Sequence, residues 1–177
     1  DAKIEERVVD FDSLSTPDVQ GVTHMFCCLG TTIKKAGSKE AFRHVDHDYA
    51  LRFAQCGIGA GAQRMMLVSS VGADEDSGNF YLRVKGELER DLERLPFEGL
   101  HIFRPSFLLG RREEQRTGEA LGIRLARGFE WMMVGDWRRY RPMPAGVLAA
   151  SMAAAGERGE PGRHVYYYDQ IYRMAGF

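Results

Sequence analysis

The sequence predicts an α/β protein built on a Rossmann-like, doubly wound parallel sheet, and three observations predict it. Short, nearly continuous apolar runs recur at residues 22–29, 64–70 and 100–103, the pattern of strands buried on both faces. Segments with apolar residues three and four apart separate them, at residues 40–56 and 79–95, the pattern of helices with one core-facing side. The runs close on Gly30, Ser70 and Arg104–Pro105, and in such sheets ligands bind where strands end. Strands alternating with helices give right-handed βαβ units covered on both faces.

Taken in order, residues 7–10 carry Val8 and Val9 before Asp10 and read as a strand, followed by a turn or helix start at residues 13–17. Residues 22–29 form the next strand and end in Gly30, Thr31 and Thr32, where a small residue lets a ligand approach the backbone. Ser38 is placed to cap a helix over 40–56, with Glu40 in its first turn. Phe42, Val45, Tyr49 and Phe53 make its core stripe, and Arg43, His44, Asp46, His47 and Asp48 read as its solvated face rather than as metal ligands. Gly57, Gly59 and Gly61 end that helix. Their Gly-x-Gly-x-Gly run follows a helix, the reverse of the order a nucleotide fingerprint requires.

Residues 64–70 are a third strand and 72–78 a loop. The helix over 79–95 carries Tyr81, Val84, Leu88 and Leu92 along one side and breaks at Pro96 and Gly99. Residues 100–103 are a fourth strand. Beyond Gly110 the pattern weakens to a helix at 119–127, an apolar piece at 131–134, an alanine-rich helix at 145–155, a late strand at 164–168 and a short terminal helix. Trp131, Met132, Met133 and Trp137 read as packing of a substrate-side portion. The expected organisation is one domain over 1–177, less regular from 111 to 177.

With a formal net charge of -1 the chain has no electrostatic footprint for nucleic acid. The clusters Arg111, Arg112, Arg116 and Arg138, Arg139, Arg141 read as solvated surface, the first being also a place where an anionic substrate could dock. The three cysteines, Cys27, Cys28 and Cys56, lack metal-ligand spacing and suit a reducing compartment; no metal is expected. No apolar run is long enough to cross a membrane and no signal peptide is visible, so an intracellular, by default cytoplasmic, protein is expected. An organelle stays open because the sequence begins at Asp1 without a methionine.

The chemistry-bearing residues lie between 66 and 87. Tyr81 and Lys85 are four apart on one helix face, and an ammonium beside a phenol favours the phenolate, making the tyrosine usable as an acid or base. Ser70 ends the neighbouring strand and could hydrogen-bond the same substrate oxygen. The three suggest carbonyl or alcohol redox chemistry; the alternative is a structural Tyr/Lys pair.

These pieces resemble the short-chain dehydrogenase/reductase superfamily, and more closely its atypical branch of proteins related to the Tat-interacting oxidoreductase-like protein. The resemblance rests on residues 26–32 (FCCLGTT), 35–38 (KAGS), 45–49 (VDHDY), 68–74 (VSSVGAD), 80–87 (FYLRVKGE) and 103–106 (FRPS), in that order. It implies an NAD(P)-binding Rossmann fold and a nicotinamide cofactor, expected as NADP with NAD as the alternative. Asp10 would sit near the adenine, and Leu29, Gly30 and Thr31 would line the dinucleotide. Lys85 would hold the nicotinamide ribose, with Pro105 and Ser106 bordering the nicotinamide. Tyr81 would move the proton, and Ser70, or Ser69, would polarise the carbonyl of a small-molecule substrate.

The superfamily's first βαβ unit, with its glycine-rich pyrophosphate turn, is not among these 177 residues. The sequence therefore reads as an N-terminally incomplete record of a longer protein. Two functions are expected from it: an oxidoreductase moving a hydride between nicotinamide and a carbonyl or alcohol, or a nucleotide-binding or interaction subunit of a larger assembly that keeps the fold.

Overall fold

The structure, a computed structural model, describes residues 4–109 and 135–177. The strands in chain order are β1 (His24–Cys27), β2 (Arg64–Val68), β3 (Gly99–Phe103), β4 (Leu108–Leu109), β5 (Met143–Pro144) and β6 (Gly162–Tyr166). The helices are α1 (Ile33–Ala36), α2 (Lys39–Arg43), α3 (Ala50–Gly59), α4 (Phe80–Glu93), α5 (Ala145–Arg158) and α6 (Tyr168–Met174). A four-stranded, all-parallel sheet runs in the order β1-β2-β3-β6, and β4 pairs with β5 in a small second ladder.

The register divides the apolar side chains between two layers. Met25, Cys27, Met65, Leu67, Leu100 and Ile102 face Ala50 and Ala54 of α3 and Leu88 and Leu92 of α4. Met66, Phe103 and Tyr166 face Val147, Leu148 and Met152 of α5 and Ile171 of α6. Both faces of the sheet are thus covered by helices, which is what the continuous apolar runs require. A fully buried Leu, Ile or Met contributes roughly 1.5–3 kcal/mol. Gly57 lets α3 lie close on β1, because a Cβ there would meet Sδ of Met25 at 1.7 Å.

Several expectations are corrected. Residues 7–10 form no strand; Val8 is 97% exposed, and no strand among the described residues lies beside that segment to pair with it. β1 is an edge strand covered incompletely on its second face, leaving Phe26 45% exposed. The helix beginning at Lys39 does not stop at Gly57 but continues through Gly59. Between α2 and α3 it passes through a π-helical turn (His44–Tyr49), whose wider winding advances the inward face by one residue. The buried stripe is therefore Phe42, Asp46, Ala50 and Ala54, and Val45, Tyr49 and Phe53 are only half-buried. Asp46 and His47, expected in solvent, are buried.

The late strand lies two residues earlier than expected, and Trp137 is exposed rather than packed. The expected helix at 119–127, the apolar piece at 131–134 and Arg111, Arg112 and Arg116 lie outside the described residues.

Candidate active site at the carboxyl ends of the strands

Helix α4 carries the site. Asn79 caps it, its side chain accepting from the backbone N–H groups of Tyr81 and Leu82 at 3.0 and 3.4 Å. Gly86 seats the loop that follows β2 directly on the helix: a Cβ there would stand 2.2 Å from the backbone nitrogen of Glu75. Tyr81, Lys85 and Glu89, four apart along α4, share one face.

Lys85 is buried, and its Nζ lies 2.7 Å from Oδ1 of Asp46, itself 1% exposed. The carboxylate's other oxygen accepts from the backbone N–H of Thr31 at 2.8 Å, which pins the end of β1 to the π-helical turn. Oδ1 contacts the ammonium without the alignment of a hydrogen bond and has no other partner among the described residues, so a buried acceptor keeps unused capacity. Gly30 lies over this pair: a Cβ on it would come to 3.5 Å from Asp46 Oδ1 and 3.9 Å from Lys85 Nζ. The ammonium has three donors. A cradle without a side chain above a cation and an unsatisfied acceptor fits the hydroxyls of a ribose.

One turn further along α4, Glu89 is 2% exposed and accepts from Ser69 Oγ at 2.5 Å. Arg104 forks onto the same carboxylate, Nε to Oε1 at 3.0 Å and Nη2 to Oε2 at 2.6 Å. Its Nη1 donates to the Tyr167 hydroxyl at 2.8 Å. Although burial alone lowers the Arg104 pKa, the bonds and charge of Glu89 carry the net shift upward. The network joins α4 to the ends of β2, β3 and β6.

The expected site residues separate accordingly. Ser69 is committed to Glu89, whereas Ser70, half-buried, makes only a 3.3 Å bond to the carbonyl of Val71. Val71 N–H donates to the Pro105 carbonyl at 2.9 Å, so Ser70 and Pro105 lie on adjoining strand ends. The Tyr81 ring is half-buried, 5.6 Å from that of Phe42. Leu29 packs against the core, leaving Gly30 and the backbone to face outward. Ser106 Oγ is engaged by the carbonyls of Tyr140 and Arg141 at 2.9 and 2.6 Å. Asp10 closes its own turn, accepting from the Asp12 N–H at 3.0 Å, and makes no hydrogen bond to the Gly30 end among the described residues.

Sequence reasoning missed Asp46, Glu89 and Arg104. Asp46 stands at four-residue spacing between Phe42 and Ala50, and Glu89 at the same spacing from Lys85, a signal that an apolar-only search passes over. No group of three or more potential metal ligands occurs among the described residues. Nor is any described helix long and apolar enough to cross a membrane.

A parallel sheet wound on both faces by helices, with the candidate residues gathered at the carboxyl ends of its strands, is a Rossmann-type α/β domain. Residues 2–129 match the HIM1 family model, and the chain belongs to the HIM1 family. It is 40% identical to protein HTATIP2 of Rattus norvegicus over 151 residues, 84% of this chain and 60% of that protein. It is 39% identical over 116 residues to the mitochondrial protein FMP52 of Debaryomyces hansenii, covering 63% of this chain and 51% of the relative. The chain thus spans about half to three fifths of these relatives.

Among solved structures, a putative NAD-dependent epimerase/dehydratase from Bacillus halodurans superposes with a TM-score of 0.64 at 17% identity, covering 95% of this chain and 75% of that one. A UDP-N-acetylglucosamine 4-epimerase from Methanobrevibacter ruminantium gives 0.65 at 11% identity, covering 94% and 63%. At such identities the likeness establishes the fold.

Proposed function

We propose that this chain is part of an oxidoreductase of the short-chain dehydrogenase type, reducing a small carbonyl compound or oxidising the corresponding alcohol. The observation that carries the reading is the buried Lys85–Asp46 pair beneath Gly30, with its unfilled acceptor and spare ammonium donors. A nicotinamide dinucleotide, NADP before NAD, supplies or accepts the hydride. Lys85 and Asp46 hold the ribose hydroxyls; Gly30 and Thr31, with the backbone of Leu29, line the dinucleotide, and Pro105 and Ser106 border the nicotinamide end. Asp10 stands on the adenine side.

In the reducing direction Tyr81 gives its phenolic proton to the carbonyl oxygen as the hydride reaches the carbon, and the C=O becomes a CH–OH. Ser70 donates a hydrogen bond to that oxygen as charge develops on it. Ser69 is excluded from this role because Glu89 holds its hydroxyl. In the full-length protein, Tyr81→Phe should lower kcat by about 10²–10⁴-fold, the range of lost proton transfer, while leaving dinucleotide affinity in place. A Tyr81→Phe protein as active as the parent would sink the proposal.

A second reading keeps the fold as an interaction module. The outer edge of β1 is unpaired among the described residues and Phe26 beside it is 45% exposed, so this edge takes a further strand, either from the first βαβ unit that the superfamily carries or from a partner. A full-length protein that ran as a partner-free monomer and turned over a carbonyl compound would remove this reading. The compartment is proposed as intracellular, and the likeness to the mitochondrial protein FMP52 makes the mitochondrion the first organelle to examine.

A further inference from the structure

Arg138 and Arg139 are exposed, as a surface cluster is expected to be, and Arg141 is half-buried. Arg138 and Arg141, together with Tyr168, Tyr172 and Arg173 on α6, line an open cavity of about 480 Å³. Arg139 lines an adjoining hollow of about 300 Å³ that shares Arg138 and Arg173. Among the described residues, four arginines, Arg138, Arg139, Arg141 and Arg173, meet one carboxylate side chain there, Asp169. Asp169 is already bound to Arg138 at 3.0 Å.

Two of these guanidiniums have donors to spare. Arg141 is half-buried, and its Nε is a buried donor without a hydrogen-bond partner among the described residues. Leaving such a buried group unsatisfied is costly, so it calls for an acceptor. Arg173 uses only its Nε, on the Asp169 carbonyl at 3.3 Å, and its terminal nitrogens make no hydrogen bond among the described residues. Tyr168 and Tyr172, with ring centroids 4.6 Å apart, supply apolar wall beside these donors.

We propose that this cavity binds the phosphate group of a small organic ligand. Forked guanidinium donors match the oxygens of a dianionic phosphate, and the tyrosine faces accommodate the carbon skeleton that carries it. The cavity flanks the strand ends of the redox site: Ser106, next to Pro105, donates to the Arg141 carbonyl at 2.6 Å, and Tyr167 joins Arg104 to α6.

The test is calorimetric titration of the full-length protein with glycerol 3-phosphate and, separately, with inorganic phosphate, at ionic strength held constant with chloride. Saturable binding of the ester, weakened at least tenfold in Arg173→Ala and in Arg141→Ala and unchanged in Tyr81→Phe, is the expected result. Arg173 is exposed, so its replacement leaves the fold intact. Arg173→Lys, which keeps the charge and loses the fork, should fall between. Inorganic phosphate binding as tightly as the ester would overturn the organic ligand in favour of the free ion. No saturable binding of either, or wild-type affinity in both arginine variants, would overturn the site altogether.

Discussion

Lys85 and Asp46 form an ion pair of 2.7 Å with both partners buried, one from α4 and the other from the π-helical turn before α3. Such a pair is weak support for stability as a unit, yet removing one member strands the other charge. Asp46→Ala should therefore destabilise the domain by about 3–5 kcal/mol. The double variant Asp46→Leu, Lys85→Met should recover most of that loss. Urea unfolding of Asp46→Leu, of Lys85→Met and of the double variant measures the coupling, and additive losses would contradict it.

Gly86 tests the seating of the loop after β2. With backbone atoms of Asp74 and Glu75 under 3 Å from a Cβ at this position, Gly86→Ala must push the loop off α4. A loss of roughly 1–3 kcal/mol is expected, as for overpacking of a close-packed contact. Gly146→Ala is the control: it is exposed on α5 with nothing within 4 Å, and should be neutral or stabilising by up to about 1 kcal/mol. Thermal unfolding of both variants separates the outcomes.

Two histidines respond to pH in opposite senses. His44 lies between Asp48, at 3.2 Å, and Asp12, at 2.9 Å, and hydrogen bonds to the two carboxylates raise its pKa, Asp48 first. Its contribution is complete below the unfolded-state value of about 6.5 and is lost as pH rises through the higher folded value. Through Asp12 it holds the turn of residues 10–13 onto the helix, so that turn should loosen on the alkaline side. Proton exchange of its amides across the range reads the loosening, which His44→Asn should remove.

His101 is fully buried, and burial first, then the neighbouring His164, lower its pKa. Tyr166, its phenol pushed up to about 12 by burial, shares a 2.9 Å hydrogen bond with His101 Nδ1. This contribution is intact above about 6.5 and falls as pH drops toward the lowered folded value. Replacing His101 with Gln should flatten the acid limb of the stability profile. An unchanged limb would assign it elsewhere.

The thiols should differ sharply. Burial pushes Cys27 up to about 11, while the neighbouring Cys28 is exposed. At neutral pH a maleimide should label Cys28 and spare Cys27, because reaction needs an accessible thiolate. Mass mapping of the labelled peptides decides the order.

What was legible in the sequence was set locally. Ser38 caps its helix with a side-chain oxygen that accepts from Ala41 three residues on, and the continuous apolar runs of β2 and β3 report burial that any parallel sheet imposes. The burial of Asp46 depends on a π-helical turn that no residue pattern announces, and it inverted the reading of that face. The exposure of Phe26 depends on β1 lying at an edge, which is a property of the sheet and not of the strand. The arginine cavity escaped for a third reason: Arg141 and Arg173 are far apart in the chain, and charge counting along the sequence cannot bring them together. Ser69 and Ser70 are indistinguishable as adjacent letters; only the position of Glu89, twenty residues on, separates them.

The stripe Tyr81, Lys85, Glu89 has a dynamic meaning. Lys85 ties α4 to the outer end of the sheet through Asp46 and Thr31, and Glu89 ties it to the ends of β2, β3 and β6. The helix is therefore a splint laid across all four strands, and it cannot lift from one without breaking buried ionic contacts at the others. Amides flanking Lys85 should exchange only through global unfolding, at the rate of the innermost core.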